Sequence, residues 1–221
     1  MSEHRSTPND SQGGEASWLN RTVSALPDLA TSGIALWVWF DPGQWRTALV
    51  GYAVLIMLVE FVLIHASGFF GVAGDSPGSA PLGRRAAIGL LGMYLVFVAS
   101  FAWSFAEPLV FLGAAWLLLA KAWPLLVGTV GRPVASQAQR GMWAASTMYY
   151  LLAVGLTTVL PVPRLGITGN GAQYGMEGQS GLWVSQPQTA VVALAIYFGL
   201  VGLTRLMGWD RAWGRQAERS G

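Results

Sequence analysis

Residues 47–71 read TALVGYAVLIMLVEFVLIHASGFFG, an apolar run interrupted by only two ionisable side chains with pKa values near neutral or below, Glu60 and His65. As an α-helix rising about 1.5 Å per residue, such a run covers the roughly 30 Å of hydrocarbon in a bilayer. Its apolar residues are continuous rather than alternating, which excludes the strand of a transmembrane barrel. Working outward, five further blocks have the same character, at 21–40, 85–105, 108–128, 142–160 and 189–207. The expected fold is all-α, a polytopic transmembrane helix bundle of six spans. The block at 21–40 is the weakest, because Pro27, Asp28 and Thr31 leave only Ile34 to Phe40 strongly apolar, and a tilted or re-entrant passage is the alternative for it. Residues 1–20 are polar without a signal-peptide pattern and are expected to form a disordered tail. Residues 208–221 form a basic C-terminal tail.

Composition agrees with that solvent. Of 221 residues, 53% are hydrophobic and 11% charged, about half the charged share of a soluble domain. The chain is too apolar to be disordered, and its 28 glycines follow no triplet period, so collagen is excluded. With no cysteine there is no disulfide framework, thiolate metal site, iron–sulfur cluster, covalent c-type haem or cysteine nucleophile.

Basic residues predict the orientation, since lysine and arginine near span ends are retained in the cytoplasm. With the N-terminus inside, Arg5, Arg21, Arg84, Arg85, Arg132, Arg140, Arg205, Arg211, Arg215 and Arg219 fall on the inner side, against Arg46 and Arg164 outside. An even number of spans then places both termini in the cytoplasm. Tryptophan, which prefers the interface, gives the same arrangement, with only Trp116 mid-span. The segment between Pro161 and Pro187 becomes a long outer loop. Its glycines, GITGNGAQYGMEGQSG, lack the Lys-Ser/Thr ending of a phosphate loop, and it is expected to be mobile, anchored to the interface by Trp183.

Ionisable residues within spans cost about 2.5 to 3.5 kcal/mol each at mid-membrane on insertion scales and so point to pairing or function. Glu60 and Lys121 each lie thirteen positions into their spans and are expected at equal depth, where they either pair or Lys121 extends its ammonium to the inner interface. Tyr94, Tyr149, Tyr150 and Tyr197 fall near the same level, making a polar layer in the cytoplasmic half. That layer reads either as a hydrogen-bond network that fixes helix packing or as a proton or solute path. Helical spacing puts Ile64 and Ser67 on the side of Glu60 and His65 about 140° away. His65 and Ser67 are candidate ligand or hydrogen-bonded residues; a one-sided haem or pigment ligand is the sharper reading of His65. There is no HExxH pair, no G-x-S-x-G elbow and no pair of facing aspartates, so no catalytic residue is assigned. Small residues at Gly89 and Gly92, Ser67 and Gly71, and Ala195 and Gly199 predict close helix contacts.

The run from Leu26 to His65, with Pro27 near the start of a span, the turn WVWFDPGQW, and Tyr52 and Glu60 on the next helix, resembles bacterial multi-spanning membrane proteins grouped as a family of unknown function. Gly51 stands beside that tyrosine where the family pattern has tryptophan. The resemblance implies no activity. The function expected is that of a multi-pass protein of a bacterial inner membrane, an accessory or interaction component of a membrane assembly, more a non-enzyme than an enzyme. The alternative is a small permease or proton-coupled transporter using Glu60 and Lys121. Expected partners are membrane lipid and other membrane proteins or a second copy of the chain, not nucleic acid, with no metal and no cofactor.

Overall fold

The computed structural model describes residues 10–41, 43–74, 80–126 and 133–209, and side chains from Trp18 onward except at 44–47, 70–74, 80–84, 86, 87, 110, 120–126 and 133–140. Six long helices fall where the apolar blocks lie: α1 (Asp10–Phe40), α2 (Gly43–Gly74), α3 (Ala80–Ser104), α4 (Pro108–Leu126), α5 (Pro133–Val159) and, after a short α6 (Leu182–Ser185), α7 (Pro187–Met207). No strand occurs among the described residues. Four stretches are long and apolar enough to cross a membrane, at Trp18–Phe40, Ala48–Phe69, Gly141–Val159 and Pro187–Met207, and Ile88–Ser104 is a shorter apolar helix. The block at 21–40, weakest by sequence, is thus an uninterrupted helix that continues through Pro27. It also starts earlier than expected, at Asp10, so part of the segment read as a disordered tail is helical.

Burial divides the bundle in two. One cluster gathers Ala35 and Val38 of α1, Val54 and Met57 of α2, Tyr150 and Ala153 of α5, and Val191, Leu194 and Tyr197 of α7. The other joins Val59, Val62, Leu63 and Ala66 of α2 to Tyr94 and Val98 of α3 and Ala114 and Leu118 of α4. α2 alone supplies a full helix to both. Outward faces stay apolar: Trp103 is 90% exposed, Trp116 70% and Val159 80%, as suits helices whose solvent is lipid.

α1 and α7 make the most extensive helix pair, and their seam is built from small residues. Ala25, Asp28, Ser32 and Ala35 return to one face of α1 and are buried. Opposite them, a Cβ at Gly199 would stand 3.1 Å from Ser32 Oγ, and one at Gly202 would stand 2.7 Å from Leu29 Cδ2 and 3.2 Å from the Leu29 backbone nitrogen. That proximity lets Ser32 Oγ donate to the Ala195 carbonyl at 2.7 Å. Ser32→Ala is therefore expected to lower unfolding stability in detergent by about 1 kcal/mol, whereas Ser100→Ala, whose hydroxyl bonds only its own helix, should leave the denaturation midpoint in place.

Two packing expectations are corrected. Gly89 and Gly92 meet nothing within 4 Å among the described residues, so there they lie on an open face of α3; on α2, Gly71 lies outside the described side chains, and Gly68 is a glycine that meets a neighbouring helix. Trp143 of α5 lies over it, its ring 2.5 Å from a would-be Cβ, and its Nε1–H donates to the Ile64 carbonyl at 2.9 Å. The long loop is the larger correction, because it folds back onto the bundle. Ile167, Tyr174 and Met176 are buried in the α7 cluster, and the Trp39 indole donates to the Pro163 carbonyl at 2.8 Å. The Gly166 amide donates to the Trp39 carbonyl. Gly51 admits this docking: a Cβ there would sit 2.5 Å from the Tyr174 carbonyl oxygen. Trp183 packs against the core rather than serving as a lone anchor.

Candidate functional site

Glu60 is carried by the one helix that serves both clusters, and the site begins with it. Its Oε2 accepts the Tyr197 hydroxyl of α7 at 3.2 Å. Ser146 of α5 stands beside the same phenol, so three helices meet through three side chains. The Tyr150 ring stands edge-on to Tyr197, centroids 5.8 Å apart, and its hydroxyl donates to the Met57 carbonyl at 3.0 Å. Met57 lies one turn before Glu60, which makes the cluster continuous along α2. Desolvation strengthens each of these bonds and makes each costly to leave unmade.

The structure brings together only part of the expected layer. Glu60, Tyr150 and Tyr197 belong to it. Tyr149 faces another way, sharing a 2.9 Å hydrogen bond with Thr204 Oγ1 of α7. Tyr94 is buried in the second cluster, among residues of α2, α3 and α4. Lys121 lies on α4, but its side chain falls outside the described residues, and so does its pairing with Glu60. Ser67 Oγ donates to the Leu63 carbonyl at 2.6 Å. His65 is exposed, its ring tilted against Phe61 with centroids 4.1 Å apart and Nδ1 at 2.7 Å from the Phe61 carbonyl. A hydrogen donated from Nδ1 to that carbonyl leaves Nε2 as the acceptor. Ile64, by contrast, is buried in the cluster of Tyr197, as the helical spacing from Glu60 requires.

No family model, no curated protein and no solved structure matches this chain. Its residues therefore carry the functional argument by themselves.

A second charged contact was missed in the sequence. Arg205 Nη1 donates to Asp28 Oδ2 at 2.5 Å, joining α1 to the last turn of α7. The two side chains are 36% and 10% exposed, Arg205 and Asp28 respectively. Arg21, two turns before Asp28, packs its guanidinium over Gly208, where α7 ends in a left-handed residue whose amide returns to the Arg205 and Thr204 carbonyls. Cations at that end suit the negative pole of the helix. Ser146 was missed as well, although its place one turn before Tyr150 on α5 was available as a signal. Among the described residues, no three of His, Cys, Asp or Glu gather as a metal cage.

Two clefts open at the other end of the bundle, beside the docked loop. One, of about 210 Å³, holds Tyr52 and Glu107; the other, of about 470 Å³, runs between α2, α3 and α5. Glu60 lines neither.

Proposed function

We propose that the chain is a six-pass protein of a bacterial inner membrane, with both termini in the cytoplasm, that acts as an accessory or interaction component of a membrane assembly. The bacterial assignment rests on the resemblance of the Leu26–His65 run, the orientation on the distribution of arginine. One observation carries the choice of role. Glu60, the ionisable group a carrier would need within reach of water, is joined to Tyr197 and lines neither cleft at the loop end. In this reading the Glu60 cluster fixes how α2, α5 and α7 pack, and the Asp28–Arg205 pair fixes α1 against α7.

The transporter alternative, with Glu60 and Lys121 in a conducting polar layer, makes the opposite demand, and the chain lends itself to the test because it has no cysteine. In native membranes Glu60→Cys should react with a water-soluble thiol reagent no faster than Ala153→Cys, a fully buried control. Ser180→Cys, in the exposed loop, sets the fast limit. Glu60→Gln retains an acceptor for Tyr197 and should stay within about 1 kcal/mol of the parent while keeping its co-purifying partners. Labelling of position 60 at the rate of position 180 would exclude the packing role and favour transport. An absorption spectrum of the same preparation tests the remaining reading, one-sided ligation of haem or pigment by His65 Nε2.

A further inference from the structure

The cleft at the loop end holds a carboxylate. Tyr52 of α2 donates its hydroxyl to Glu107 Oε1 at 3.0 Å, and Oε2 of that carboxylate has no hydrogen-bond partner among the described residues. Gln173, Tyr174 and Phe105 also line the space, and among the described residues no lysine, arginine or histidine does. Glu107 is held there by a strained turn. Ala106 has φ 54°, a left-handed conformation that usually belongs to glycine at a helix end and costs other residues about 1 kcal/mol or more. The turn is fastened by the Glu107 amide to the Ala102 carbonyl at 2.9 Å and the Ala106 amide to the Trp103 carbonyl at 3.2 Å. Gln179 adds a further tie, its amide donating to the Ser104 carbonyl at 2.9 Å. The strain thus places a carboxylate beside aromatic rings in a cleft.

The neighbouring groove has the opposite character. Leu58, Phe101, Val154 and Trp183 line it beside the uncharged polar residues Thr158, Gln179 and Ser180, with no charged residue among the described residues of its wall. Phe105 lines both spaces, so the charged cleft and the apolar groove meet across one ring. The groove lies against α2 and α5, two of the helices apolar enough to span the membrane.

We propose that these two spaces bind one membrane lipid whose headgroup ends in an ammonium, with the ammonium against Glu107 and an acyl chain in the groove. A carboxylate with no base among the described lining residues attracts a cation, and the tyrosine and phenylalanine rings beside it add to that attraction. An ammonium carries three donors, which the Glu107 carboxylate, the Tyr52 oxygen and the Gln173 amide oxygen can accept. The proposal is independent of the accessory role, since it concerns neither Glu60 nor a partner chain.

The test reconstitutes the full chain in vesicles holding equal amounts of phosphatidylethanolamine and phosphatidylglycerol, then measures lipid retained after extraction in mild detergent. Phosphatidylethanolamine should be enriched on the protein at least several-fold over its share of the vesicle. Glu107→Gln, which keeps an acceptor for Tyr52 but loses the charge, should abolish that enrichment. A second arm leaves the protein untouched and replaces the lipid by its N-acetylated form, whose headgroup has no ammonium; retention should fall as it does for Glu107→Gln. Equal retention of the two lipids, or undiminished retention of the acetylated one, would overturn the proposal. So would displacement of no lipid alongside saturable binding of free ethanolamine, because that result assigns the cleft to a soluble amine.

Discussion

Asp28→Leu is expected to cost about 3 kcal/mol of unfolding free energy. Asp28 is buried at the α1–α7 seam, and its carboxylate takes the Arg205 guanidinium at 2.5 Å. Breaking one side of a buried pair typically costs about 3–5 kcal/mol because the other charge is left without compensation. Arg205 is about one-third exposed and can turn partly toward the membrane surface, which places the expected loss at the lower end of that range. Removing both charges should do less harm than removing one. Asp28→Leu combined with Arg205→Met leaves no uncompensated ion, and apolar replacements of buried pairs are often neutral. The double variant should therefore recover most of the loss in a detergent denaturation series. Additive losses would show that the two groups act separately.

Gly51→Val should release the long loop. A Cβ at that position lies 2.5 Å from the Tyr174 carbonyl oxygen, and a backbone oxygen cannot rotate out of the way as a side-chain end can. Overpacking of this kind costs about 1–3 kcal/mol, and retreat of the loop would relieve it. Retreat exposes Ile167, Tyr174 and Met176, all buried in the α7 cluster, and frees the backbone on either side of Arg164. Cleavage by trypsin after Arg164 reports that opening. A destabilisation of about 1.5 kcal/mol that is confined to the docked state raises the open population, and with it the cleavage rate, about tenfold. Gly113→Ala is the matched control, since a Cβ there meets nothing within 4 Å; its cleavage rate should equal that of the parent. An unchanged rate in Gly51→Val would mean that the loop does not depend on this contact.

The helices were legible because a run of twenty apolar residues has few other uses. The contacts between them were less so, for reasons that particular residues make clear. Depth along a span follows from counting, and counting placed Glu60, Tyr94, Tyr150 and Tyr197 at one level. It leaves the direction around each helix open, and Tyr94 turns into the α2–α3–α4 cluster while Tyr197 turns to Glu60. Where a known face fixed the angle, as between Glu60 and Ile64, the expectation and the packing agree. Asp28 looked like a defect in a weak span, since its partner is 177 residues away and pairing over that separation leaves no periodic trace. The loop looked mobile because glycine-rich polar segments usually are; its docking depends on a few apolar side chains and on an absent one at Gly51, which composition does not register.

The pairing of the first helix with the last has a consequence for the order in which the protein is made. α1 has its most extensive contacts with α7, and Arg205 follows Asp28 by 177 residues. At about 5–20 residues per second, synthesis of that interval takes roughly ten to thirty-five seconds. For that time the first helix must remain near the insertion machinery with a carboxylate whose partner has not yet been translated. Assembly of the α1–α7 seam therefore waits on the translation of α7, and a chain cut short before Arg205 would present Asp28 as a persistent mark of incompleteness to the proteases that survey the membrane.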